Sequence, residues 1–582
     1  MHKENVKVAV LSNTTCDEIE NFIQEKLTLE NISCSVYLSK YNLIYADILD
    51  KNSALYKFDP HFVLLLLDEK IILEKLPAPW NINDIKTVCE EVNDLIKELI
   101  SEFQKNNSRA MFVLSTLVFS KKTLSQLIDY RSKSLAFQYL NNINQFLFNL
   151  SLVNTNFICL DSNVFLQDEN VYLQDSRLAF YAGMGFHSSL LEKISGELIN
   201  IIKARSGLSK KLLVLDLDNT LWGGVLGDDG IENIKLGGEY EGQAYQYFQK
   251  IIKQLNSQGV LLAISSKNEL DNVEKAFSQH PEMHLKNKDF VNIKANWLPK
   301  HENILCIQQD INIGGESIVF VDDSAFECES IKKFLPDISA ILLPEDPILF
   351  SDELLSRGLF NKLNLTEEDI NRTNNYLSEN QRKNYSKKFG SYESFLIGLR
   401  IYLRVFIPDI YQSERVSQLS LRTNQFNMTG AKFTADEIKR MTQQNNFKII
   451  AVDYEDKFGK NGLIAAVILE IINEINLKKL VIRNFLLSCR VFSRGVENAL
   501  MTWIVNYAKK MSISEIIGIY IPMPKNIPAK DFYLINKFKN DPNNIQHYLL
   551  SDFENHECLK NTSVILIDEV NINAEEKIYA TA

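Results

Sequence analysis

Residues 212–224 read Leu-Leu-Val-Leu-Asp-Leu-Asp-Asn-Thr-Leu-Trp-Gly-Gly, an apolar run that leads directly into two carboxylates. A short apolar run bounded by turn residues is typical of a buried parallel strand. Asn219 and the glycines after it allow the backbone to turn away directly after the strand. Ligands of open α/β sheets bind beyond the carboxyl ends of the strands, so Asp216 and Asp218 are predicted to lie at the mouth of a site.

Two further apolar runs end in polar residues, and a lysine lies between them in the sequence. The segments are Val260 to Ile264 before Ser265-Ser266, Ile318 to Val321 before Asp322-Asp323, and the lysine is Lys300. Carboxylates can hold Mg²⁺, a hydroxyl and a lysine can bind phosphoryl oxygens, and an aspartate can attack phosphorus. Each element alone also fits a helix cap or a turn. The four elements in this order predict phosphoryl-transfer chemistry.

This arrangement resembles the haloacid dehalogenase (HAD) superfamily of aspartyl-phosphate phosphotransferases. The resemblance implies that Asp216 is the nucleophile and Asp218 the general acid/base. Asp322 is expected to bind the metal directly and Asp323 through its outer sphere. The implied phosphate contacts are Ser266 (with Ser265 as the alternative), Lys300, Asn219 and Thr220, and the implied metal group is Asp216, Asp218, Asp322 and Asp323. Only a short stretch separates Asp218 from the next helical pattern, so a large cap domain is not expected there.

Three motifs are narrower than the superfamily and resemble the FkbH-like family, which makes glyceryl thioesters on acyl carrier proteins. They are Trp222-Gly223-Gly224-Val225, Ser266-Lys267-Asn268 and Asn296-Trp297-x-Pro-Lys300. The resemblance implies Mg²⁺ as the cofactor and 1,3-bisphosphoglycerate as the substrate. It also implies that an acyl carrier protein with its phosphopantetheine arm is the partner, in polyketide-type biosynthesis. A related three-carbon phosphate, giving a lactyl or similar unit, is left open.

Composition excludes several other classes of protein. The chain has 582 residues, of which 45% are hydrophobic and 24% charged, as expected of a globular protein with several domains. A net charge of −11 argues against general nucleic-acid binding, which needs a basic face. There is no apolar run of the roughly 20 residues that span a bilayer, and no secretory signal is recognised. With its scattered cysteines, the chain is expected to be cytoplasmic, without a membrane or nucleic-acid partner.

The alternation of apolar segments predicts an α/β chain of three domains. Residues 206–350 form the HAD Rossmann-like domain without a large cap, 351–395 a helical connector, and 396–582 a GNAT-like α+β domain. Residues 1–205 predict a parallel sheet that resembles a degenerate SGNH-hydrolase or flavodoxin-like domain.

The catalytic residues of an SGNH hydrolase are only partly present in residues 1–205. The Gly-Asp-Ser motif is missing, because Leu11-Ser12-Asn13 stands where it would begin. Asp175 and His187 lie where a catalytic pair would be, although loop and core roles fit them equally well. A docking or substrate-presenting role is favoured over an active hydrolase.

A second candidate site is the strand-to-helix turn at 488–497, Ser-Cys-Arg-Val-Phe-Ser-Arg-Gly-Val-Glu. Backbone N–H groups at a helix N-terminus bind anions, and Arg490 and Arg494 add positive charge. This combination suits a pyrophosphate or a phosphopantetheine phosphate. Cys489 is either a nucleophile or a small core residue, and spacing alone favours the core residue.

The resemblance to known families reverses that preference. Arg490-x-x-Ser493-x-Gly495 is similar to the acyl-CoA-binding turn of GNAT-type acyltransferases, with a serine in place of the first glycine. The Ser-Cys-Arg-Val segment of FkbH-like proteins implies that Cys489 takes the acyl group. The implied pantetheine contacts are Arg490, Arg494 and Gly495, and the implied substrate contacts are Gln418, Asn424 and Gln425. For residues 423–427, a simple turn is the alternative.

The sequence therefore favours a loading enzyme that removes phosphate from a three-carbon substrate and transfers its acyl group through an enzyme thioester to an acyl carrier protein. Three alternatives stay open at this point. They are a plain phosphatase, a GNAT-type acyltransferase that uses acyl-CoA while the HAD domain is silent, and a non-enzymatic docking protein.

Overall fold

The structure, a computed structural model, describes residues 5–41, 43–107, 109–474, 477–542, 544–551, 564–570 and 579–581. It divides into two units, Met1–Ser206 with Asn361–Leu363, and Gly207–Phe360 with Asn364–Ala582. Within the described ranges, none of the helices combines the length and the apolarity needed to cross a membrane.

The first unit is built on a five-stranded parallel sheet with the order β2-β1-β3-β4-β5. Its strands are β1 (Val6–Ser12), β2 (Cys34–Leu38), β3 (Phe62–Leu66), β4 (Met111–Ser115) and β5 (Phe157–Leu160). Val8 and Val10 of β1 pack into one apolar cluster, and Ala9 and Leu11 into another. Both faces of the sheet are therefore covered, which explains why β1 is apolar without alternation. The predicted flavodoxin-like sheet is confirmed.

The helices of this unit lie between and after its strands. They are α1 (Glu18–Leu29), α2 (Ile44–Leu49), α3 (Ala54–Phe58), α4 (Lys70–Leu73), α5 (Ile82–Asn106), α6 (Lys121–Ser125), α7 (Tyr130–Val153), α8 (Ser162–Phe165), α9 (Ser176–Tyr181) and α10 (Ser188–Arg205). The long helix α5 starts at a capping box formed by Asn81 and Asp84, and it buries a stripe of apolar residues against the sheet.

The second unit begins with another five-stranded parallel sheet, in the order β10-β9-β6-β7-β8. Its strands are β6 (Leu212–Leu215), β7 (Leu261–Ser266), β8 (Phe290–Ala295), β9 (Ile318–Asp322) and β10 (Ser339–Leu342). All four residues of β6 are fully buried, and they alternate between two apolar clusters on the two faces of the sheet. Strands β8 and β10 were not predicted, because their half-polar sequences lack a continuous apolar run.

Six helices accompany this second sheet. They are α11 (Leu226–Asp229), α12 (Tyr240–Ser257), α13 (Leu270–Gln279), α14 (Lys300–Ile311), α15 (Ala325–Phe334) and α16 (Phe350–Leu355). Between β6 and α12 the chain forms only a loop with the single turn α11, and between β8 and α14 only a short loop. Residues 212–342 are all described and contain no inserted cap domain, as predicted.

The third sheet is mainly antiparallel, in the order β16-β17-β15-β14-β13-β12-β11-β18-β19. Its strands are β11 (Ile401–Phe406), β12 (Phe447–Asp456), β13 (Gly459–Glu474), β14 (Leu477–Leu487), β15 (Glu515–Ile519), β16 (Lys539–Asp541), β17 (Asn544–Leu550), β18 (Val564–Asp568) and β19 (Tyr579–Thr581). Strands β14 and β15 are parallel to each other and are joined by a helix. The domain has the predicted GNAT-like α+β fold.

Seven helices in the described residues belong to the third domain and its connector. They are α17 (Glu367–Ile370), α18 (Arg372–Ser386), α19 (Tyr392–Leu399), α20 (Ile410–Arg422), α21 (Ala435–Gln443), α22 (Val496–Lys510) and α23 (Phe532–Ile535). Helix α20 starts at Ile410, because Asp409 and Gln412 form a capping box there.

The loop after α20 closes a gap in the third sheet. Strands β14 and β15 pair only from Lys479–Ile482 against Glu515–Gly518. Beyond this pairing, the Met428 N–H donates to Phe485 O (3.2 Å), the Leu487 N–H to Phe426 O (3.0 Å) and the Ile521 N–H to Met428 O (2.9 Å). The side chains of Phe426, Asn427 and Met428 are all buried. The chain itself thus fills the space where the two parallel strands diverge.

A buried ion pair attaches the connector helix α18 to the third domain. Arg382 donates to both carboxylate oxygens of Asp456, at 2.6 and 2.7 Å, and Tyr454 Oη donates to the same carboxylate at 2.8 Å. Both charged side chains are almost fully buried. The two-point geometry satisfies the guanidinium and the carboxylate together, as a buried pair requires.

We expect Asp456→Ala to lower the free energy of unfolding by about 3–5 kcal/mol, because the buried Arg382 charge loses its two-point partner and keeps only a longer contact with Glu379, at 3.3 Å. Asp453→Ala is the matched control on the same strand, since its partner Arg404 is half exposed and such pairs contribute about 1 kcal/mol or less. Urea unfolding of both variants measures the difference. Equal losses would show that the Arg382–Asp456 pair does not hold the connector in place.

Candidate active site

The strand order of the second sheet places Asp216 and Asp322 side by side. Strand β6 is central, with β7 and β8 on one side and β9 and β10 on the other. Asp216 directly follows β6 and donates its backbone N–H to Val321 O of β9 at 3.1 Å. Asp322 is the last residue of β9. The two carboxylates therefore lie at the point where the strand order reverses, which is where open α/β sheets bind ligands.

Lys300 joins these two carboxylates. It is the first residue of α14, and its Nζ lies 2.9 Å from Asp216 Oδ2 and 2.6 Å from Asp322 Oδ2. All three side chains are buried. Burial alone would lower the pKa of Lys300, but the charges of Asp216 and Asp322 outweigh it and raise that pKa. The lysine is thus held as a cation at the strand ends.

The carboxylates form a group that fits a hard cation. Oxygens of Asp216, Asp322 and Asp323 lie within 4.8 Å of one another. Asp216 Oδ1 is buried and has no hydrogen-bond partner within the described structure. Burial and the neighbouring charge of Asp216 raise the pKa of Asp322 to about 7, although Lys300 opposes this shift. One lysine does not balance three acids, and oxygen donors in this arrangement suit Mg²⁺.

Asp218 was predicted as a fourth member of the metal group, but its carboxylate lies outside the group of three. Its Oδ1 accepts hydrogen bonds from Trp222 Nε1 at 2.9 Å and from the Leu226 N–H at 3.0 Å. Its Oδ2 accepts one from Asn268 Nδ2 at 2.8 Å. These donors fix the orientation of the side chain. Trp222 and Asn268 were not predicted as site residues, although both stand in the motifs that carried the family resemblance.

The predicted phosphate-binding residues have different surroundings. Thr220 is fully buried, and its Oγ1 has no hydrogen-bond partner within the described structure. Ser266 is buried and accepts from Asn268 Nδ2 at 3.2 Å, whereas the hydroxyl of Ser265 points to Lys300 O at 3.5 Å. Asn219 has a φ of 53°, and its side chain accepts from the Gly224 N–H at 2.9 Å. The side-chain oxygen of Asn219 therefore holds the loop closed.

Cys489, from the second predicted site, lines a pocket of about 380 Å³, which we call the thiol pocket. Its thiol is exposed, which excludes the core role that spacing alone favoured. The pocket is lined by the end of α14, by α18 and α19, and by the turn before α22, with these residues: Asp310, Ile311, Asn312, Asn375, Tyr376, Glu379, Arg382, Lys383, Ser386, Tyr392, Phe395, Asn461, Cys489, Arg490, Phe492 and Arg494.

Acidic side chains of this chain lie at the helix N-terminus beside this pocket. Arg494 is buried and paired with Glu379 at 2.6 Å, and it also contacts Tyr454 Oη at 3.4 Å. Burial raises the pKa of Glu497, and the backbone N–H groups of Glu497 and Ser493 oppose that shift. Arg494 and the N-terminus of α22 therefore face acids of this chain, which the sequence did not reveal.

Other residues of this turn keep the conformation that the motif suggested. Gly495 has a φ of 80°, and Ser493 adopts a left-handed φ of 66°, a conformation that normally favours glycine. Arg490 lines the thiol pocket and donates to Ser488 Oγ at 3.2 Å. The turn thus presents Cys489 and Arg490 to the pocket.

The three predicted substrate contacts are not among the residues that line the thiol pocket. Asn424 and Gln425 are exposed, and Asn424 Oδ1 accepts from Lys432 Nζ at 3.2 Å. Lys432 also caps the carbonyl end of α20 through Ser420 O and Leu421 O. Gln418 is half buried on α20. The alternative of a turn describes residues 423–427 better, since their backbone fills the gap beside β14.

In the first unit, the predicted hydrolase residues act as helix caps or core residues. The side chain of Asp175 caps α9, and His187 caps α10 and contacts Ser189 Oγ at 2.8 Å. Ser12 is buried and accepts the Thr14 N–H at 3.3 Å. The cavity beside Asp68 at the strand ends measures about 10 Å³, room for about one water molecule.

One solved structure covers the greater part of the chain. It is the N-terminal part of the protein BF1531 from Bacteroides fragilis, which contains a phosphatase domain and was crystallised with Mg. The two proteins are 30% identical with a TM-score of 0.56, and the match covers 62% of this chain and 95% of that one. This chain belongs to the BF1531 family. This membership supports the prediction that the protein is an enzyme.

Other solved structures match a smaller part. A GNAT-family acetyltransferase from Streptococcus pneumoniae is 12% identical with a TM-score of 0.19, and it covers 25% of this chain and 96% of its own. The PaiA N-acetyltransferase from Thermoplasma acidophilum, solved with coenzyme A, is 16% identical with a TM-score of 0.20 and the same coverage. The fold of the third domain is therefore described from its own strand order. No protein-family model and no curated protein sequence matches the chain.

We expect Mg²⁺ to raise the melting temperature, and to raise it more at about pH 8 than at about pH 6. The folded, metal-free protein holds a proton on Asp322 up to about pH 7, whereas the unfolded chain loses it near the ordinary value of 3.8. The stability of the metal-free protein therefore falls as the pH rises through this window. Metal binding needs the ionised carboxylate, so it is favoured as the pH rises.

Thermal unfolding with Mg²⁺ or with EDTA at both pH values measures this effect. Asp322→Asn should abolish the Mg²⁺-dependent shift in melting temperature. Asp228→Asn, an exposed acid on α11 outside the carboxylate group, should leave the shift unchanged. A shift of the same size in Asp322→Asn would contradict the assignment of the cation to these carboxylates.

Proposed function

We propose that the protein is a Mg²⁺-dependent, HAD-type phosphatase joined to an acyl-transfer domain, as in FkbH-like proteins. In this proposal it takes 1,3-bisphosphoglycerate, or a related three-carbon acyl phosphate, and loads the dephosphorylated acyl unit onto an acyl carrier protein. The observation that carries the phosphatase half is the buried contact of Lys300 with Asp216 and Asp322, beside the unpartnered Oδ1 of Asp216. The Mg-containing phosphatase domain of BF1531 supports the same half.

The residues of the site have separate roles in this reaction. Asp216 attacks phosphorus and becomes an aspartyl phosphate, while Lys300 keeps its carboxylate in place. Mg²⁺, held by Asp216, Asp322 and Asp323, would neutralise charge on the phosphoryl oxygens. Thr220 and Ser266 donate their hydroxyls to the phosphoryl group. Asp218, oriented by three donors, gives a proton to the leaving oxygen and later takes one from the attacking water.

We expect Asp216→Asn to lower phosphate release at least about a thousandfold, since it removes the nucleophile. Asp218→Asn should lower it by about a hundredfold to ten-thousandfold. The loss of phosphate release in Asp218→Asn should be larger with glycerol 3-phosphate than with p-nitrophenyl phosphate as the substrate, because p-nitrophenolate leaves without a proton. Phosphate release under saturating Mg²⁺ measures both, with Asp228→Asn as the control. Full activity of Asp216→Asn would refute the proposed nucleophile.

The acyl-transfer half is supported by the thiol pocket. Cys489 is exposed, lines a pocket large enough for a small metabolite, and stands next to the positive charge of Arg490. A thiol of this kind can attack the carbonyl of an acyl phosphate and hold the acyl group as a thioester. The thiol of a carrier protein's pantetheine arm then collects the acyl group from Cys489.

The alternative in which acyl-CoA enters the third domain is less well supported. In that alternative, an extended ligand would pair with β14 where β15 diverges from it. This part of β14 is already paired with the chain's own segment Phe426–Met428. At the N-terminus of α22, the buried acid Glu497 lies beside the backbone N–H groups of Ser493 and Glu497, and Glu379 is paired with Arg494. A pyrophosphate would have to compete with both acids.

A plain phosphatase is the second candidate function, favoured by the family relationship to BF1531. In that case the third domain recognises the substrate and Cys489 has no chemical part. The two functions differ in one observable: only the loading enzyme forms a covalent adduct on Cys489.

We expect intact-protein mass spectrometry to show an acyl adduct after incubation with Mg²⁺ and enzymatically generated 1,3-bisphosphoglycerate. Cys489→Ala should lose the adduct because the accepting thiol is gone. Cys306→Ala is the matched control, since Cys306 is also exposed but does not line the thiol pocket. If the unaltered protein released phosphate but formed no adduct, the loading function would be refuted and the plain phosphatase would be the remaining function.

A further inference from the structure

The thiol pocket and the carboxylate site lie at opposite ends of the strands of the second sheet. Helix α14 begins with Lys300 at the carboxylates, and its last turn, Asp310 and Ile311, lines the thiol pocket. Twelve residues of α-helix separate these ends by about 16 Å.

The strands of the second sheet span a similar length. Asp216 follows the carboxyl end of β6, and Lys211 precedes its amino end. At about 3.3 Å per residue, Lys211 and Asp216 are about 16 Å apart. The whole height of the sheet therefore lies between the two sites.

One bound molecule cannot meet both sites. A three-carbon chain with a phosphate at each end is about as long as two extended residues, or about 7 Å. Cys489 cannot carry its acyl group across, because it sits in a single 3-10 turn pinned by Ser488 N–H to Ile464 O (2.8 Å) and by the fully buried Val491. Acyl transfer by Cys489 and removal of the second phosphate must therefore be separate steps, and the acyl group must travel between the two sites.

Resting on the function proposed above, we propose that the phosphatase site acts on a phosphorylated acyl thioester carried on the pantetheine arm of the carrier protein. Cys489 is then loaded with a phosphoglyceryl group, which it passes on with its phosphate ester intact. The substrate of Asp216 is thus a macromolecule-borne phosphate ester, and dephosphorylation is the last step.

The steps balance without any further reactant. The Cys489 sulfur attacks the acyl carbon, the bond from that carbon to the phosphate oxygen breaks, and inorganic phosphate leaves as the thiol proton is released. The pantetheine thiol then displaces Cys489 by thioester exchange and returns a proton to it. Last, Asp216 takes the remaining phosphoryl group, Asp218 protonates the glyceryl oxygen, and water releases a second phosphate.

Two features favour this order. An acyl phosphate is a more reactive phosphoryl donor than an alkyl phosphate ester, so a first encounter with Asp216 would hydrolyse the activated bond. After loading on a thiol, only the ester phosphate is left for Asp216. The mouth of the carboxylate site is also uncapped, with Asn219 and Asp323 exposed and Trp297 73% exposed beside it, as access for a carrier-bound substrate requires.

The test uses the full chain with Asp216→Asn, which removes the phosphatase nucleophile but leaves Cys489 in place. The variant and the unaltered protein are each incubated with Mg²⁺, enzymatically generated 1,3-bisphosphoglycerate and a pantetheine-bearing acyl carrier protein. Intact-protein mass spectrometry follows both chains. In Asp216→Asn we expect phosphoglyceryl, one phosphoryl group heavier than glyceryl, on Cys489 and then on the carrier. Adding the Cys489→Ala variant, in which Asp216 is intact, should convert the carrier adduct to glyceryl.

The other outcomes separate the two proposals. If the unaltered protein loads glyceryl but Asp216→Asn loads nothing, dephosphorylation comes first and the order proposed here is wrong, while the loading function stands. Glyceryl without phosphate on Cys489 of Asp216→Asn would also overturn the order. If neither protein forms a Cys489-dependent adduct, the loading function itself fails, and the order with it.

Discussion

The contact of Lys300 with Asp216 and Asp322 is the interaction on which the rest of the second unit depends. Two acids and one lysine are buried at the end of a parallel sheet, with the exposed Asp323 beside them, and unbalanced charge is costly there. The sheet can hold this arrangement because β6 is fully apolar and covered on both faces. The remaining negative charge and the free oxygen of Asp216 suit a cation.

In the third domain, the chain's own residues occupy positions that the fold would otherwise leave open. Its parallel strands β14 and β15 diverge, and the buried segment Phe426–Met428 pairs with the edge that this leaves. Its helix α22 begins over the carboxylate of Glu497. A GNAT-like fold is thus kept while its own side chains and backbone fill two places where a ligand could bind. The thiol of Cys489 is exposed and lines the thiol pocket.

Much of the carboxylate site could be predicted because each residue follows an apolar strand, and parallel strands end at one edge. The same logic could not find the partners of Asp218: Asn268 lies 50 residues away, and only the loop geometry brings it to the carboxylate. At the thiol pocket, motif similarity singled out Arg494 but could not reveal Glu379, 115 residues before it, which pairs with its guanidinium. Gln418, Asn424 and Gln425 were predicted as substrate contacts, but Gln418 lies on α20, and the other two precede the segment Phe426–Met428 that pairs with the sheet.

The sequence by itself determined the α/β class of the chain, the main apolar strands and the position of Asp216, Asp218 and Asp322 after two of those strands. These follow from hydrophobic periodicity, which is a property of neighbouring residues. Only the tertiary structure decided which oxygen of Asp216 is free, which arginine is already paired, and that Cys489 and Asp216 stand at opposite ends of the strands of one sheet. These properties depend on contacts between distant segments, and no local pattern encodes the distance between two sites that different domains build.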